Sequence, residues 1–279
     1  MRITPLRQDS LTYMAAESLY MRGSKSDASN SLTKYLQSYP NGAYSSDANY
    51  YLGVLADENN NKDKAMMHFR HVIDANSGKF LEGALVYVAE TEYKDNNYQQ
   101  ALADYARLNN VAQSLAHKQT AQLGIARTNS KLNNFHEAAR AIDQLLDNKN
   151  LSPETVTEAH YLRGKAYQQA HEVDKAMNDY MAIANDTRSI YGAEAQFRLA
   201  EAYYNWKSYD KAEAQVKDFM QKTTPHQYWL ARALIVLSDT YKAKGDNFQA
   251  RQYIESLQAN YKGNESDIQQ MIQERISQE

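Results

Sequence analysis

The chain has 279 residues, of which 43% are hydrophobic, and a net charge of -3, so it can bury a core and has no basic excess of the kind that nucleic-acid binding requires. It has no cysteine, which excludes disulfides and thiolate metal sites, and its ten glycines and four prolines are few for an all-β fold. No apolar run reaches the roughly 18 residues of a membrane-spanning helix.

Along the chain, pairs of small residues twelve positions apart recur every 36 to 38 residues. The pairs are Ala16/Ala28, Gly53/Ala65, Ala89/Ala101, Ala126/Ala138, Gly164/Ala176, Ala200/Ala212 and Ser238/Ala250. Large residues follow the second member at spacings of four and seven, which places all three on one face of a helix. This pattern predicts seven helical hairpins, in which the alanine of a second helix (helix B) meets the small residue of a first helix (helix A).

The turns between the two helices carry a second regular signal, five residues before each alanine. The residues at this position are Gly23, Asn60, Asn96, Asn133, His171, Lys207 and Gly245. Glycine or asparagine at five of the seven is typical of a left-handed residue that ends a helix.

The pattern divides the chain into three parts. Residues 1–9 lead in, residues 10–262 hold the seven hairpins, and residues 263–279 are predicted to form one capping helix. In this last helix, Ile268, Met271, Ile272 and Ile276 share one apolar side.

Segments such as LGVLADENNNKDKAMMHF and AEAYYNWKSYDKAEAQV resemble the tetratricopeptide repeat, with a small residue at position 8, Gly or Asn at 15, Ala at 20 and a large apolar residue at 24. The resemblance covers residues 10 to 262 and implies an all-α, right-handed superhelical solenoid. The period is longer than the roughly 34 residues usual in the family, and the family's early tryptophan is absent.

These departures, with the junction YLQSYPNGAYSSDANYYLG, resemble a bacterial envelope subgroup. That subgroup includes the periplasmic repeat protein associated with the Tol-Pal system and the repeat lipoproteins of β-barrel assembly. The resemblance implies a periplasmic or outer-membrane-associated protein, whereas a natural start at Met1 would predict the cytoplasm.

The family's geometry implies that positions 5, 9 and 12 of each helix A line a concave groove. Position 5 is apolar or aromatic in every hairpin, and position 12 adds three tyrosines, a residue suited to protein interfaces. The groove residues are therefore expected to be Tyr13, Glu17, Tyr20, Tyr50, Asp57, Glu90, Tyr93, Arg127, Tyr161, Lys165, Phe197, Glu201, Tyr204, Asp239 and Lys242. An alternative for position 5 is that its rings pack between successive A helices.

We therefore predict a non-catalytic scaffold that binds a protein or peptide partner in this groove, without a cofactor, nucleic acid or membrane span. Self-association through the terminal repeats is a further mode that such an array permits. An alternative is a ligand-sensing repeat domain, specific for a peptide or a glycan, that regulates a larger protein. The chain lacks HExxH, GxSxG and phosphate-loop motifs, and His68 and His71 form a pair without a third metal ligand nearby in sequence.

Overall fold

The computed structural model describes residues 5–277, which form fifteen α-helices and no strand. They are α1 (Pro5–Met21), α2 (Lys25–Ser38), α3 (Ser45–Glu58), α4 (Lys62–Ala75), α5 (Leu81–Lys94), α6 (Tyr98–Val111), α7 (Leu115–Lys131), α8 (Phe135–Leu146), α9 (Pro153–Gln169), α10 (Val173–Ile183), α11 (Ile190–Asn205), α12 (Tyr209–Gln221), α13 (Gln227–Ala243), α14 (Asn247–Asn260) and α15 (Ser266–Ile276). None of these helices combines the length and the apolar character needed to cross a membrane. The prediction of an all-helical repeat array is confirmed.

The chain separates into two compact units, the first ending at Leu132 and the second beginning at Asn133. In the first unit, α1–α2, α3–α4 and α5–α6 pack as consecutive pairs, and each helix B also contacts the following helix A. The second unit repeats this arrangement with α9–α10, α11–α12 and α13–α14, and α15 contacts α13 and α14. The helices predicted as the fourth hairpin, α7 and α8, belong to different units, so the predicted boundaries of the array stay a prediction.

The small residues lie where the two helices of a hairpin meet. All seven repeat alanines are buried, as are the large residues four and seven positions later. At Gly53 an added Cβ would lie 2.9 Å from the ring of Phe69, so α3 and α4 can approach only because this side chain is missing. Ser238 is tolerated at the same position because its hydroxyl donates to the carbonyl oxygen of Ala250 over 2.8 Å.

All seven turn residues predicted to be left-handed have positive φ angles, between 56° and 83°. His171 and Lys207 adopt this conformation at 60° and 58°, although neither residue type favours it. The position of these two residues in the repeat therefore determines their backbone conformation, against the preference of their residue types.

Helix α1 begins at Pro5 and so includes part of the segment predicted to lead in. Asp9 is buried there and accepts hydrogen bonds from the Tyr35 hydroxyl and, over 2.9 Å, from the backbone N–H of Ala43. The N–H of Tyr44 donates to the Tyr35 hydroxyl over 3.1 Å. The buried carboxylate of Asp9 thus connects the YPNGAY junction to α1 by hydrogen bonds.

At the other end of the chain, α15 buries Ile268 and Ile272 against Ile235, Ile254 and Leu257 of α13 and α14. Met271 and Ile276, on the same side of α15, are partly buried in the same cluster.

Polar pairs 19 residues apart join helix A to helix B inside three hairpins. The Nδ1–H of His68 donates to Asn49 over 2.8 Å, and His160 Nδ1 lies 2.8 Å from Asp179. A third pair joins Gln215 to Gln196 over 2.6 Å. His68 and His160 therefore have structural partners, and the described residues contain no group of three or more His, Cys, Asp or Glu placed to hold a metal ion.

We expect Phe219→Ala to destabilise its hairpin by about 3–5 kcal/mol, because the ring is fully buried and its removal leaves a cavity. In an array of repeats the loss should appear first as faster hydrogen exchange in α11–α13, measured by mass spectrometry. Phe248→Ala is the matched control, because that ring is 71% exposed and its loss should leave exchange unchanged. Uniformly faster exchange along the whole chain in Phe219→Ala would contradict local unfolding.

We expect His68 to make the protein less stable in acid. Burial lowers the pKa of His68 to about 4, so between about pH 6.5 and 4 the unfolded state takes up a proton that the folded state does not. Its contribution to the free energy of unfolding is therefore present above pH 6.5 and is lost as the pH falls through this window, by up to about 3 kcal/mol.

Chemical denaturation at a series of pH values measures this effect. His68→Gln should flatten the dependence relative to the unmodified chain, because glutamine does not titrate. His71→Gln, three residues away and exposed, should retain most of the dependence, because burial is the main cause of the lowered pKa of His68 and the His71 charge is a lesser one. Equal slopes for His68→Gln and the unmodified chain would rule out this role.

Candidate functional site

Two of the predicted groove residues do not offer a surface. Tyr13 is 2% exposed, because its ring stacks on Tyr44 with centroids 4.5 Å apart and meets Tyr35 edge-on. Phe197 is 1% exposed and stacks on Trp229. Phe197 packs against the following A helix, as in the alternative interpretation of position 5, whereas Tyr13 packs against Tyr35 of a helix B and against Tyr44, just before α3.

In the first unit, the side chains on this face of the A helices mostly bind one another. Glu17 accepts hydrogen bonds from the hydroxyls of Tyr13 and Tyr51, over 3.0 and 3.1 Å. Burial raises the pKa of both tyrosines, so that both hydroxyls remain donors. The Tyr50 ring lies flat on Phe80 with centroids 4.1 Å apart, and Tyr20 lies 4.4 Å from the Tyr51 ring.

Further along this unit, Asp57 accepts a hydrogen bond from the Tyr87 hydroxyl over 2.7 Å, and burial raises the pKa of Tyr87 to about 12. Glu90, Tyr93 and Arg127 are half-buried on α5 and α7. The predicted residues of the first unit therefore lie on the A helices, but several of them are hydrogen-bonded to or packed against neighbouring side chains.

In the second unit a buried carboxylate organises the same face. Glu194 on α11 is 5% exposed and accepts hydrogen bonds from Tyr161, Lys165 and Arg198, over 2.9, 3.0 and 3.0 Å. Burial opposes the ionisation of Glu194, but Lys165 and Arg198 outweigh it, so the pKa lies below its ordinary value. A carboxylate that is ionised at neutral pH therefore fixes one hydroxyl and two cations on this face.

Beside Glu194 lies a group of rings and guanidinium groups, which we call the aromatic–arginine cluster: Phe197, Arg198, Tyr228, Trp229 and Arg232. The Arg198 guanidinium lies 5.1 Å from the Phe197 ring centre and 5.7 Å from that of Trp229. Arg232 lies 4.6 Å from Phe197 and 5.8 Å from Tyr228. Contacts at these distances are attractive, and they hold the guanidinium groups in place.

The cluster remains accessible, because the side chains of Arg198 and Arg232 are 18% and 23% exposed and Trp229 is half-buried. Tryptophan, tyrosine and arginine in partly buried, ordered positions are the residues that contribute most to protein interfaces. Glu201, a predicted groove residue, accepts from Arg198 over 3.2 Å and so borders the cluster.

The structure also brings three predicted residues together at the end of this face. Tyr204, Asp239 and Lys242 line a cavity of about 360 Å³ with Glu274 and Arg275. Arg275 donates twice to Asp239, both times over 2.7 Å. The cavity therefore carries a neutralised carboxylate and an exposed lysine.

The sequence analysis missed position 2 of the repeat, which holds Asp47, Glu194 and Arg232. Position 2 precedes position 5 by three residues and therefore shares its helix face. Trp229 stands a further three residues before Arg232. Extending the pattern by one such step toward the helix start would have identified the first three residues, and a second step would have identified Trp229.

Comparison with known proteins agrees with the repeat pattern. Models of the tetratricopeptide repeat match residues 9–42 and 123–190. No curated protein sequence matches the chain.

Three solved structures illustrate the likeness in fold. A tetratricopeptide repeat protein from Parabacteroides merdae is 13% identical, with 96% of this chain and 98% of that chain covered at a TM-score of 0.50. The apo form of RapI is 10% identical, with 97% and 86% covered at 0.61. YrrB, described as a TPR protein with an unusual peptide-binding site, is 18% identical, with 69% and 93% covered at 0.52. Together with the buried alanines and the left-handed turns, these structural matches show that the described residues have the fold of tetratricopeptide repeat proteins.

Proposed function

We propose that the chain is a non-catalytic scaffold for protein–protein interaction and that it binds a partner protein or peptide on the face formed by α9, α11 and α13. The observation that carries this proposal is the aromatic–arginine cluster. Its guanidinium groups are ordered before any partner arrives, so little side-chain entropy is lost on binding. Glu194 accepts a hydrogen bond from Arg198 and so holds this guanidinium group in place within the cluster.

The chemistry of the cluster favours a partner segment with an apolar side chain beside a carboxylate or a main-chain carbonyl. Arg232 donates to the Tyr228 hydroxyl over 2.9 Å, and its nearest carboxylate, on Asp267, is 3.8 Å away. A guanidinium has five N–H donors, so Arg232 keeps donors for a partner. The ring of Trp229 offers apolar surface next to them.

The other accessible groove residues extend the proposed surface in each unit. In the second unit these are Tyr161, Lys165, Glu201, Tyr204, Asp239 and Lys242, and in the first unit Glu17, Tyr20, Tyr50, Asp57, Glu90, Tyr93 and Arg127. Tyr13 and Phe197 are left out because they are buried.

A place in the bacterial cell envelope, as the junction motif implies, stays a prediction from the sequence. The structure gives that motif a packing role, through Asp9 and Tyr35, and this role would serve a repeat protein in any compartment.

The two tryptophans of the chain provide a matched test. Peptides selected from a phage-displayed random library against the unmodified chain should bind Trp229→Ala at least about tenfold more weakly, as expected for a residue that dominates an interface. Trp206→Ala is the control, because Trp206 is 45% exposed in the turn between α11 and α12. Fluorescence anisotropy measures the affinities, and circular dichroism checks that each variant is folded.

Arg232→Glu provides a second variant with little change in size at the same surface. Peptides that bind Trp229→Ala and Arg232→Glu as tightly as the unmodified chain would place the binding surface elsewhere and overturn the proposal.

A further inference from the structure

The first unit carries a counterpart of the aromatic–arginine cluster at the same positions of the repeat. The Tyr50 ring lies flat on Phe80, with centroids 4.1 Å apart, as Phe197 stacks on Trp229 in the second unit. The two rings of each stack occupy the same places: one stands at position 5 of a helix A, and the other stands nine residues before the small residue of the next helix A. The same pair of stacked rings therefore occurs once in each unit.

The charged groups beside the two stacks differ in sign. In the second unit, the carboxylate of Glu194 accepts hydrogen bonds from Lys165 and Arg198. The residues at the corresponding positions of the first unit are Asp47, Glu17 and Tyr51. The first unit thus has a second carboxylate where the second unit has an ammonium group, and a hydroxyl where it has a guanidinium group.

The other guanidinium group of the cluster is also missing from the first unit. Gly83 stands at the position of Arg232. A Cβ added to Gly83 would lie 3.1 Å from the hydroxyl oxygen of Tyr50, so the Tyr50 ring takes the space beside this position. The stack of the first unit therefore lies next to two acidic side chains, without the arginines that accompany the stack of the second unit.

Within residues 5–277, the one cation paired with these two carboxylates comes from a loop. Lys79, in the connection between α4 and α5, has its ammonium nitrogen 3.4 Å from Oδ2 of Asp47 and 4.0 Å from Oε1 of Glu17. The same nitrogen lies 4.7 Å from the ring centre of Phe80. With its own side chain, the protein thus shows where a cationic group lies at this site: on the face of a ring and beside two carboxylates.

Lys79 is held weakly in this place. Its distances to the two oxygens exceed the roughly 2.7–2.9 Å of charge-assisted hydrogen bonds, and its side chain is 60% exposed. Lys165 of the second unit, by contrast, lies 3.0 Å from Glu194 and is 29% exposed. Because two carboxylates face one ammonium group, a negative charge remains even with Lys79 in place.

The two carboxylates keep acceptors for a further donor. The hydroxyls of Tyr13 and Tyr51 and the ammonium group of Lys79 all lie at Oε1 of Glu17, and no donor in the described part of the chain is bound to Oε2. The side chains of Glu17 and Asp47 are 24% and 19% exposed. A side chain from outside can therefore reach both.

We propose that this site, formed by Glu17, Asp47 and the Tyr50–Phe80 stack, binds an arginine side chain of a partner protein or peptide, which displaces Lys79. We call it the acidic–aromatic site. A guanidinium group is planar and has five donors, so it can lie on the Phe80 ring and donate to both carboxylates at once, which one ammonium group does less well. The proposal rests on the proposed function in that the partner is of the same kind, but it uses no residue of the aromatic–arginine cluster.

Two pentapeptides test this proposal with the full chain. Both have alanine at four positions, and the central residue is arginine in one and citrulline, which has the shape of arginine without its charge, in the other. An NMR titration of the ¹⁵N-labelled chain should give at least about fivefold tighter binding of the arginine peptide, with amide shifts at Asp47 and Phe80. Equal affinities, no binding of either peptide, or shifts confined to other residues would overturn the proposal.

Variants of the chain locate the contact. Asp47→Asn and Glu17→Gln should each weaken binding of the arginine peptide at least about fivefold, because each removes a charge and keeps the size of the side chain. Lys79→Gln should strengthen it about two- to fivefold, because the competing ammonium group is lost. Lys62→Gln is the matched control, since Lys62 pairs with Asp95 in the same unit and is similarly exposed, at 54%. Circular dichroism checks that each variant is folded.

Two results with these variants would also overturn the proposal. An unchanged or weakened affinity in Lys79→Gln would show that Lys79 does not occupy the place of the partner's arginine. A loss of binding in Trp229→Ala would place the arginine peptide at the aromatic–arginine cluster, whereas we expect this variant to bind it unchanged. The peptides selected for that cluster test the proposed function separately, so either proposal can fail without the other.

Discussion

The close approach of two helices at a pair of small side chains is the contact on which the hairpins within each unit depend. A helix can approach its neighbour this closely only where the side chain is small, as in glycine, alanine or Ser238, and at Gly53 even a methyl group would meet the Phe69 ring at 2.9 Å. The large residues one and two turns away then fill the space on either side of the contact. Because the same contact recurs along the chain, it sets the spacing of the A helices in each unit, and with it the positions of all the side chains on their shared face.

That constraint explains how much the sequence predicts. The alanine spacing and the turn residues determine the hairpins, and even His171 and Lys207 follow the register into a conformation that they would not choose alone. The alanine spacing does not predict how exposed the ring at a given groove position is, because that exposure depends on which side chains of neighbouring segments cover the ring. Tyr13 is buried because Tyr35 and Tyr44 enclose it, whereas Trp229, whose ring is half-buried, lies outside repeat positions 5, 9 and 12.

The two units use their charges differently. In the first unit, Glu17 binds hydroxyl groups of neighbouring tyrosines, so its charge stabilises contacts between helices. In the second unit, Glu194 binds cations, and the guanidinium group that it fixes also lies against the buried ring of Phe197 and the half-buried ring of Trp229. A buried, fully paired carboxylate contributes little to stability, but Glu194 fixes the position of Arg198. For that reason the proposed binding surface lies in the second unit.

The polar pairs inside the hairpins have a consequence for how a repetitive chain finds its own partners. Repeats of similar shape can dock in the wrong order, since any helix with a small residue in place could accept any alanine. Each hairpin that carries such a pair has a different chemistry: an amide with an imidazole at Asn49 and His68, an imidazole with a carboxylate at His160 and Asp179, and two amides at Gln196 and Gln215. If a helix paired with the wrong hairpin, one of these polar side chains would be buried without its hydrogen-bond partner. The pairs therefore favour the correct pairing of helices that otherwise have similar shapes.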